Sequence, residues 1–198
     1  MAEQAFMDGL SEVKEACYLS DIVVRSADSF SPGIKAHKLI LRARSTVVKG
    51  MLASGEESLT VPDMNFEELD TFLSFLYTRT GTIPQGLLEK HSKSLYKAGV
   101  TYDIPHLCDI AAAEIIRSMK LDHSECLSIL SLNQRLLNGT TYTENTLHYK
   151  KIQGAALDVG VQYLLMRLES GSLLDLVKTE PELVLKIMCW YIKNVSPE

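Results

Sequence analysis

Apolar residues along the chain recur in patterns that switch between helical and extended periods. Phe6, Leu10, Val13 and Cys17 follow one another at spacings of four, three and four, which places them on one stripe of a helix. An amphipathic helix at the start of a chain must bury that stripe, either in its own core or against a second subunit, and the spacing leaves both open. Asp21-Ile22-Val23-Val24 is short and β-branched, Asp28 to Gly33 supplies turn residues, and Ile34-Lys35-Ala36 resumes an extended pattern. A hairpin is predicted there. Lys38 to Arg44 reads as a short helix, and Ser45 is placed to cap the next, whose Val47, Val48, Met51 and Leu52 are predicted to point inward. Gly55 ends that pattern, and Leu59-Thr60-Val61 forms a candidate third strand closed by Pro62, which has no amide proton for a ladder.

The remainder of the chain is helical in pattern. Asn65 and Glu68 stand at capping-box spacing ahead of a helix that aligns Phe66, Leu69, Leu73 and Leu76. A second helix aligns Leu88, His91, Leu95 and Ala98, and a third opens on Pro105 with an apolar face of Cys108, Ala111, Ala112, Ile115 and Met119. Beyond about residue 120 no strand pattern occurs and three more helices are predicted. Asp122 with Glu125 has the spacing of a cap for the first, and Asn138-Gly139-Thr140-Thr141 breaks the chain. Ile152, Ala155, Ala156, Val159, Tyr163 and Met166 mark a long helix stopped near Gly171. Thr179, Pro181 and Glu182 mark the start of the last, which is apolar nearly all round from Leu183 to Ile192. Such a helix is buried or meets a partner, and the surface around Trp190 is its candidate docking face.

Composition narrows the classes of function. With 46% hydrophobic and 23% charged residues the chain is expected to build a packed core. A formal charge of -5, with Lys and Arg scattered, argues against a phosphate-backbone partner. The first twenty residues lack the cationic start and apolar run of a secretory signal, and no stretch reaches the roughly 20 apolar residues of a membrane span. Cys17, Cys108, Cys126 and Cys189 lie far apart, which suits reduced thiols in a cytosolic or nuclear protein. His106 with Cys108 and His123 with Cys126 could offer zinc ligands, but the spacing matches no common site and both cysteines sit on apolar helix faces. His37 and His91 are expected to be hydrogen-bonded structural residues, and His148 to be solvated. No phosphate cradle, zinc-protease helix or nucleophile elbow occurs, so no catalytic residue, cofactor or metal is expected.

A strand pair, two short helices, a third strand and a helical series make an α+β order, and particular phrases fill it. Ser20-Asp21-Ile22-Val23-Val24, then Ala36-His37-Lys38 leading into Leu41-Arg42-Ala43-Arg44-Ser45, resembles the strand-hairpin and "AH+xxLxxRS" block of BTB/POZ domains. Asp63, the run Phe72 to Thr78 and the run Ala98 to Leu107 are similar to that family's later landmarks. The resemblance covers residues 5 to 120. Residues 121 to 198 look like the shorter, BACK-like helical extension that follows speckle-type BTB domains, without the substrate-capturing MATH domain that usually precedes them. It implies a BTB/POZ domain over 1–120, a three-stranded sheet with a cluster of helices, and an all-helical extension over 121–198.

The resemblance also implies a function. Members commonly form homodimers through the first helix, here Phe6, Met7, Leu10 and Val13, and bind a cullin of the third class as adaptors that bring a protein substrate to a ubiquitin ligase. Asp21 and Lys38 match the family's charged pocket, where a structural ion pair is the plain alternative. The matching cullin-facing positions are Met51, Leu52, Asp63, Tyr102, Asp103 and Ile104. One departure stands out: many cullin binders carry a hydrophobic-x-Glu motif before the third strand, whereas Ala53-Ser54-Gly55-Glu56-Glu57 is short and lacks the large apolar residue. A dimeric scaffold or transcription-regulator assembly protein that does not bind cullin is therefore the alternative.

Overall fold

The computed structural model describes residues 12–26, 28, 32–78, 81–122, 124, 126–130 and 147–194. Phe6, Met7 and Leu10 of the predicted first helix, His123 and Glu125, and the break at 138–141 lie outside the described residues. The chain divides into two compact units, Met1–Ala111 and Ala112–Glu198. The division falls inside a helix that runs from Pro105 to Leu121.

In the first unit, β1 (Ile22–Arg25) pairs antiparallel with β2 (Ile34–Ala36), Val23 standing opposite Lys35. β3 (Ser58–Thr60) adds in parallel on the other edge, giving the order β2-β1-β3. A parallel strand needs a crossover, and α1 (Lys38–Arg44) with α2 (Thr46–Met51) supplies it. The inner face of the sheet is Ile22, Val24, Ala36 and Leu59, all buried, while Val61 is buried just past the end of β3. The third strand thus lies one residue earlier than the pattern predicts.

Two longer helices complete this unit. α3 (Phe66–Tyr77) begins at a full capping box: Asn65 Oδ1 accepts from the Glu68 amide at 3.0 Å, and Glu68 Oε2 accepts from the Asn65 amide at 2.9 Å. Leu69, Phe72, Leu73, Phe75 and Leu76 are buried on it, whereas Phe66, which was expected on the same stripe, is 38% exposed because it opens the first turn. α4 (Gln85–Thr101) buries Leu88, His91, Leu95 and Ala98 as the spacing predicts, and packs against α3. α5 (Pro105–Leu121) follows a tight link and crosses into the second unit, with Cys108, Ala111, Ala112, Ile115 and Met119 all buried.

The second unit has helices and no strand among its described residues. After a helical stretch at 126–130 come α6 (Leu147–Glu169), α7 (Leu173–Thr179) and α8 (Pro181–Asn194), with α8 packed against both others. Gly171 at φ +73 ends α6, where only glycine enters the left-handed region at no steric cost. No helix among the described residues is long and apolar enough to cross a membrane.

Candidate protein-interaction surfaces

The phrase around His37 to Ser45 holds the first unit together, and each of its polar residues has a separate task. The His37 amide donates to the Tyr77 hydroxyl at 2.9 Å, and ring Nε2 lies 2.7 Å from the Tyr18 carbonyl. A carbonyl only accepts, so the ring proton sits on Nε2 and Nδ1 accepts from the Tyr77 hydroxyl at 2.7 Å. His37 therefore ties the stretch before β1 to the end of α3. Arg44 donates through Nε to the Leu76 carbonyl at 2.9 Å and through Nη2 to that of Thr78, filling acceptors that the last turn of α3 leaves open. Leu41 lies in the core between them, 1% exposed.

Ser45 links two elements of the expected cullin-facing region. Its Oγ accepts from the Val48 amide at 3.0 Å, capping α2, and donates to the Tyr102 carbonyl at 2.5 Å, both within buried surroundings. Beside it Thr46 Oγ1 donates to Asp103 Oδ2 at 2.8 Å. Asp103 has φ +53, a conformation aspartate tolerates better than most side chains, so the 102–104 turn is fixed from two sides. Asp63 is exposed and pairs with Lys97 at 2.8 Å. It lines one small depression with Met64, Lys97, Thr101 and Tyr102.

These contacts sort the expected residues. Met51 is 44% exposed, Asp63 and Asp103 are exposed as well, and all three can meet a partner. Leu52, Tyr102 and Ile104 are buried: Leu52 faces the core, and the Tyr102 ring lies 5.6 Å from that of Phe72. Burial pushes the Tyr102 phenol up to about 12, with the Asp63 carboxylate adding to the shift. Val47, predicted to point inward, is instead exposed beside Met51, one helical turn away, and joins the accessible surface.

The N-terminal arm forms a second surface. Residues 12–16 are helical, and Lys14 Nζ reaches Asp70 Oδ1 at 2.7 Å and Ser74 Oγ at 2.5 Å on α3. Cys17 and Leu19 both adopt left-handed φ, +50 and +56, a cost on the order of 1 kcal/mol each that the surrounding contacts offset. Val13 is exposed, and Tyr18, Leu19 and Leu39 are more than 70% exposed. Periodicity missed the last three, because the exposed residues precede β1 and open α1 rather than repeat along one helix. The Asp21 and Lys38 pair is joined through the main chain: Asp21 Oδ1 accepts from the Lys38 amide at 2.7 Å, while Lys38 Nζ points to the Gly55 carbonyl at 3.4 Å. Asp21 is thus a cap at the N-terminus of α1 and not half of a side-chain ion pair.

Burial also governs two thiols and a histidine outside these surfaces. Burial pushes the Cys108 thiol up to about 12 and the Cys126 thiol to about 11, far from the range of a nucleophile. His91 was expected to be hydrogen-bonded, but its buried Nε2 has no hydrogen-bond partner and stops 3.5 Å from Glu67 Oε1, a carboxylate whose two oxygens also accept from Lys90 Nζ. In the folded protein the two thiols and the Tyr102 phenol keep their protons at pH values where the unfolded chain releases them. Stability is therefore expected to fall as pH rises above about 9. Urea midpoints measured between pH 8 and 10.5 check this, and a midpoint that climbs over that interval would contradict it.

A three-stranded sheet crossed over by two short helices, carrying two exposed apolar surfaces, has the architecture of a binding module. A family model for the BTB/POZ domain matches residues 10–119. BTB/POZ domain-containing protein At2g40450 of Arabidopsis thaliana is 37% identical over 154 residues, covering 71% of this chain and 73% of that protein. At2g40440 of the same organism is 37% identical over 141 residues, covering 67% and 84%, and At5g48510 is 33% identical over 138, covering 65% and 61%. The chain belongs to the BTB/POZ domain family, and it is a protein-interaction module.

Proposed function

We propose that this chain is a homodimeric adaptor that brings a protein substrate to a ubiquitin ligase built on a cullin of the third class. The observation that carries the reading is the Val47 and Met51 pair, exposed on α2 and held in register with the Asp103 turn through Ser45 and Thr46. A partner helix lying across α2 would bury both apolar side chains beside Asp103. The dimer half of the reading rests on Phe6, Met7, Leu10 and Val13, extended by the exposed Tyr18, Leu19 and Leu39. Four free thiols suit the cytosol or nucleus, and neither nucleic acid nor a membrane is among the partners proposed.

Titration with the N-terminal domain of a third-class cullin tests the reading. Wild-type protein is expected to bind at low micromolar concentration or better, and Met51→Glu to weaken binding at least about tenfold. Absence of association at tens of micromolar would remove the cullin reading. Leu10→Asp is expected to break the N-terminal interface, each dimer losing the contact twice by symmetry. A sedimentation mass that Leu10→Asp leaves unchanged would show that the first helix packs elsewhere.

The loop at 53–57 favours the second reading, a dimeric scaffold or transcription-regulator assembly protein without cullin. Ala53, Ser54 and Gly55 are exposed and Gly55 turns back at φ +89, so no large apolar side chain leads into β3. A stable dimer that ignores cullin yet retains a partner in cells would support that alternative.

A further inference from the structure

Trp190, the centre of the docking face expected on α8, is half-buried, and Leu185, Met188 and Ile192 are exposed there. The loop between α2 and β3 offers more definite chemistry. Three hydroxyls lie along α2 and this loop, and they differ in what occupies them. Ser45 is buried with both of its bonds made, and Thr46 donates to Asp103. Ser54 is exposed, and its hydroxyl has no hydrogen-bond partner among the described residues. The chain around it is anchored on both sides: the Ala53 amide donates to the Gly50 carbonyl at 3.2 Å, and the Val23 amide to the Glu57 carbonyl at 3.0 Å. Between those anchors Gly55 turns at φ +89, and a Cβ built on it would meet nothing within 4 Å, so the outside of the turn is open space. Glu56 and Glu57 follow directly, the second of them exposed. Lys38 approaches the same loop from α1. Its amide is taken by Asp21, but its ammonium touches only the Gly55 carbonyl, at 3.4 Å, with no carboxylate in ion-pair reach among the described residues.

We propose that Ser54 is a phosphorylation site for an acidophilic protein kinase, with Lys38 as the cation that holds the phosphate. Kinases choose substrates by the pattern of charge around the hydroxyl, and here acids follow it at the second and third positions. In the transfer Ser54 Oγ attacks the γ-phosphorus of ATP. The Oγ–P bond forms as the bond from that phosphorus to the oxygen bridging to the β-phosphate breaks; ADP leaves, and the hydroxyl proton passes to the kinase's catalytic carboxylate. The product carries a charge of about -2 and three strong acceptor oxygens, one residue from the carbonyl that Lys38 Nζ touches. A charge-assisted bond from Lys38 to the phosphate then takes the place of the long contact to Gly55. The consequence for a partner rests on the reading of α2 as the cullin-facing surface. Ser54 lies three residues beyond Met51, so the phosphate stands near the end of the exposed Val47 and Met51 stripe. A partner helix covering that stripe would have to strip water from a dianion, and phosphorylation therefore weakens its binding.

Incubation of the purified chain with a casein-type acidophilic kinase and radiolabelled ATP tests the site. Wild-type protein is expected to take the label, and both Ser54→Ala and Glu57→Lys to reduce it at least about tenfold. No labelling, or labelling that Ser54→Ala leaves unchanged, overturns the proposal. Phosphorus NMR of the phosphorylated chain tests the role of Lys38. The second ionisation of an unpaired phosphoserine has its midpoint at about 6, and Lys38 is expected to lower it by about half a pH unit against the repulsion of Glu56 and Glu57. Lys38→Met keeps the amide that Asp21 caps and is expected to move the midpoint back up; a midpoint that stays in place overturns the phosphate clamp. Affinity for the cullin N-terminal domain, measured with and without the phosphate, is expected to fall at least about tenfold on phosphorylation. Equal affinity overturns the regulation. A chain that takes the label at Ser54 yet binds no cullin in either form refutes the adaptor reading and upholds the site.

Discussion

Ser45→Ala is expected to destabilise the protein by about 2 to 3 kcal/mol, seen as a lower urea midpoint with an unchanged slope. The hydroxyl is 2% exposed and does two things at once, accepting from the Val48 amide and donating to the Tyr102 carbonyl. Loss of the cap alone costs about 1 kcal/mol, and the buried Tyr102 carbonyl loses its hydroxyl donor. Thr46→Ala removes the neighbouring bond to Asp103, which is exposed, and is expected to cost well under about 1 kcal/mol. The pair separates the clamp's buried half from its solvated half. If Ser45→Ala proved as mild as Thr46→Ala, the 102–104 turn would be held by something other than this hydroxyl. Because the same clamp sets the register of Met51 against Asp103, Ser45→Ala is also expected to weaken a partner bound on that surface.

A second large effect is expected where α4 meets the start of α5. A Cβ placed on Gly99 would lie 2.7 Å from Cys108 Sγ and 3.0 Å from the Cys108 backbone nitrogen. The thiol can turn aside, but the backbone cannot move without shifting α5. Gly99→Val is expected to cost about 3 kcal/mol through overpacking, against the gain of up to about 1 kcal/mol that removing a helical glycine usually brings. Gly86, on the same helix, has nothing within 4 Å of such a Cβ, so Gly86→Ala is expected to stabilise. Chemical denaturation of the two variants should give shifts of opposite sign. A Gly99→Val chain as stable as wild type would mean that the two helices do not approach as closely as described.

Much of the first unit was legible because its sequence marks its elements twice. Asn65 and Glu68 announce α3 both by chemistry and by the stripe that follows, and Pro105 opens a helix whose apolar face is buried from Cys108 to Met119. Where apolar residues outnumber the faces available to hold them, periodicity could not choose. On α2 and its C-cap, Val47 with Met51 and Val48 with Leu52 are two stripes, each with a four-residue step, and only the second pair faces the core. The same ambiguity held on α8, where Leu183, Val184 and Ile187 are buried and Leu185, Met188 and Ile192 are not. α7 went unread because its seven residues make two turns and Ser172 offers no side-chain cap.

The polar wiring was the least legible part of the candidate site. A sequence names Asp21 and Lys38 as opposite charges, yet the bond that forms runs to the Lys38 main chain, since a carboxylate at a helix start finds an unpaired amide closer than an ammonium. His37, Arg44 and Ser45 reach partners 19 to 57 residues away, separations that no local spacing encodes.

The adaptor account turns on whether one dimer holds two cullin domains, and a single mass measurement decides it. The chain is mixed with excess N-terminal domain of a third-class cullin and followed by sedimentation velocity. A complex of two chains and two cullin domains is expected; a one-to-one complex would contradict dimeric recruitment, and two unmixed boundaries would contradict cullin binding altogether.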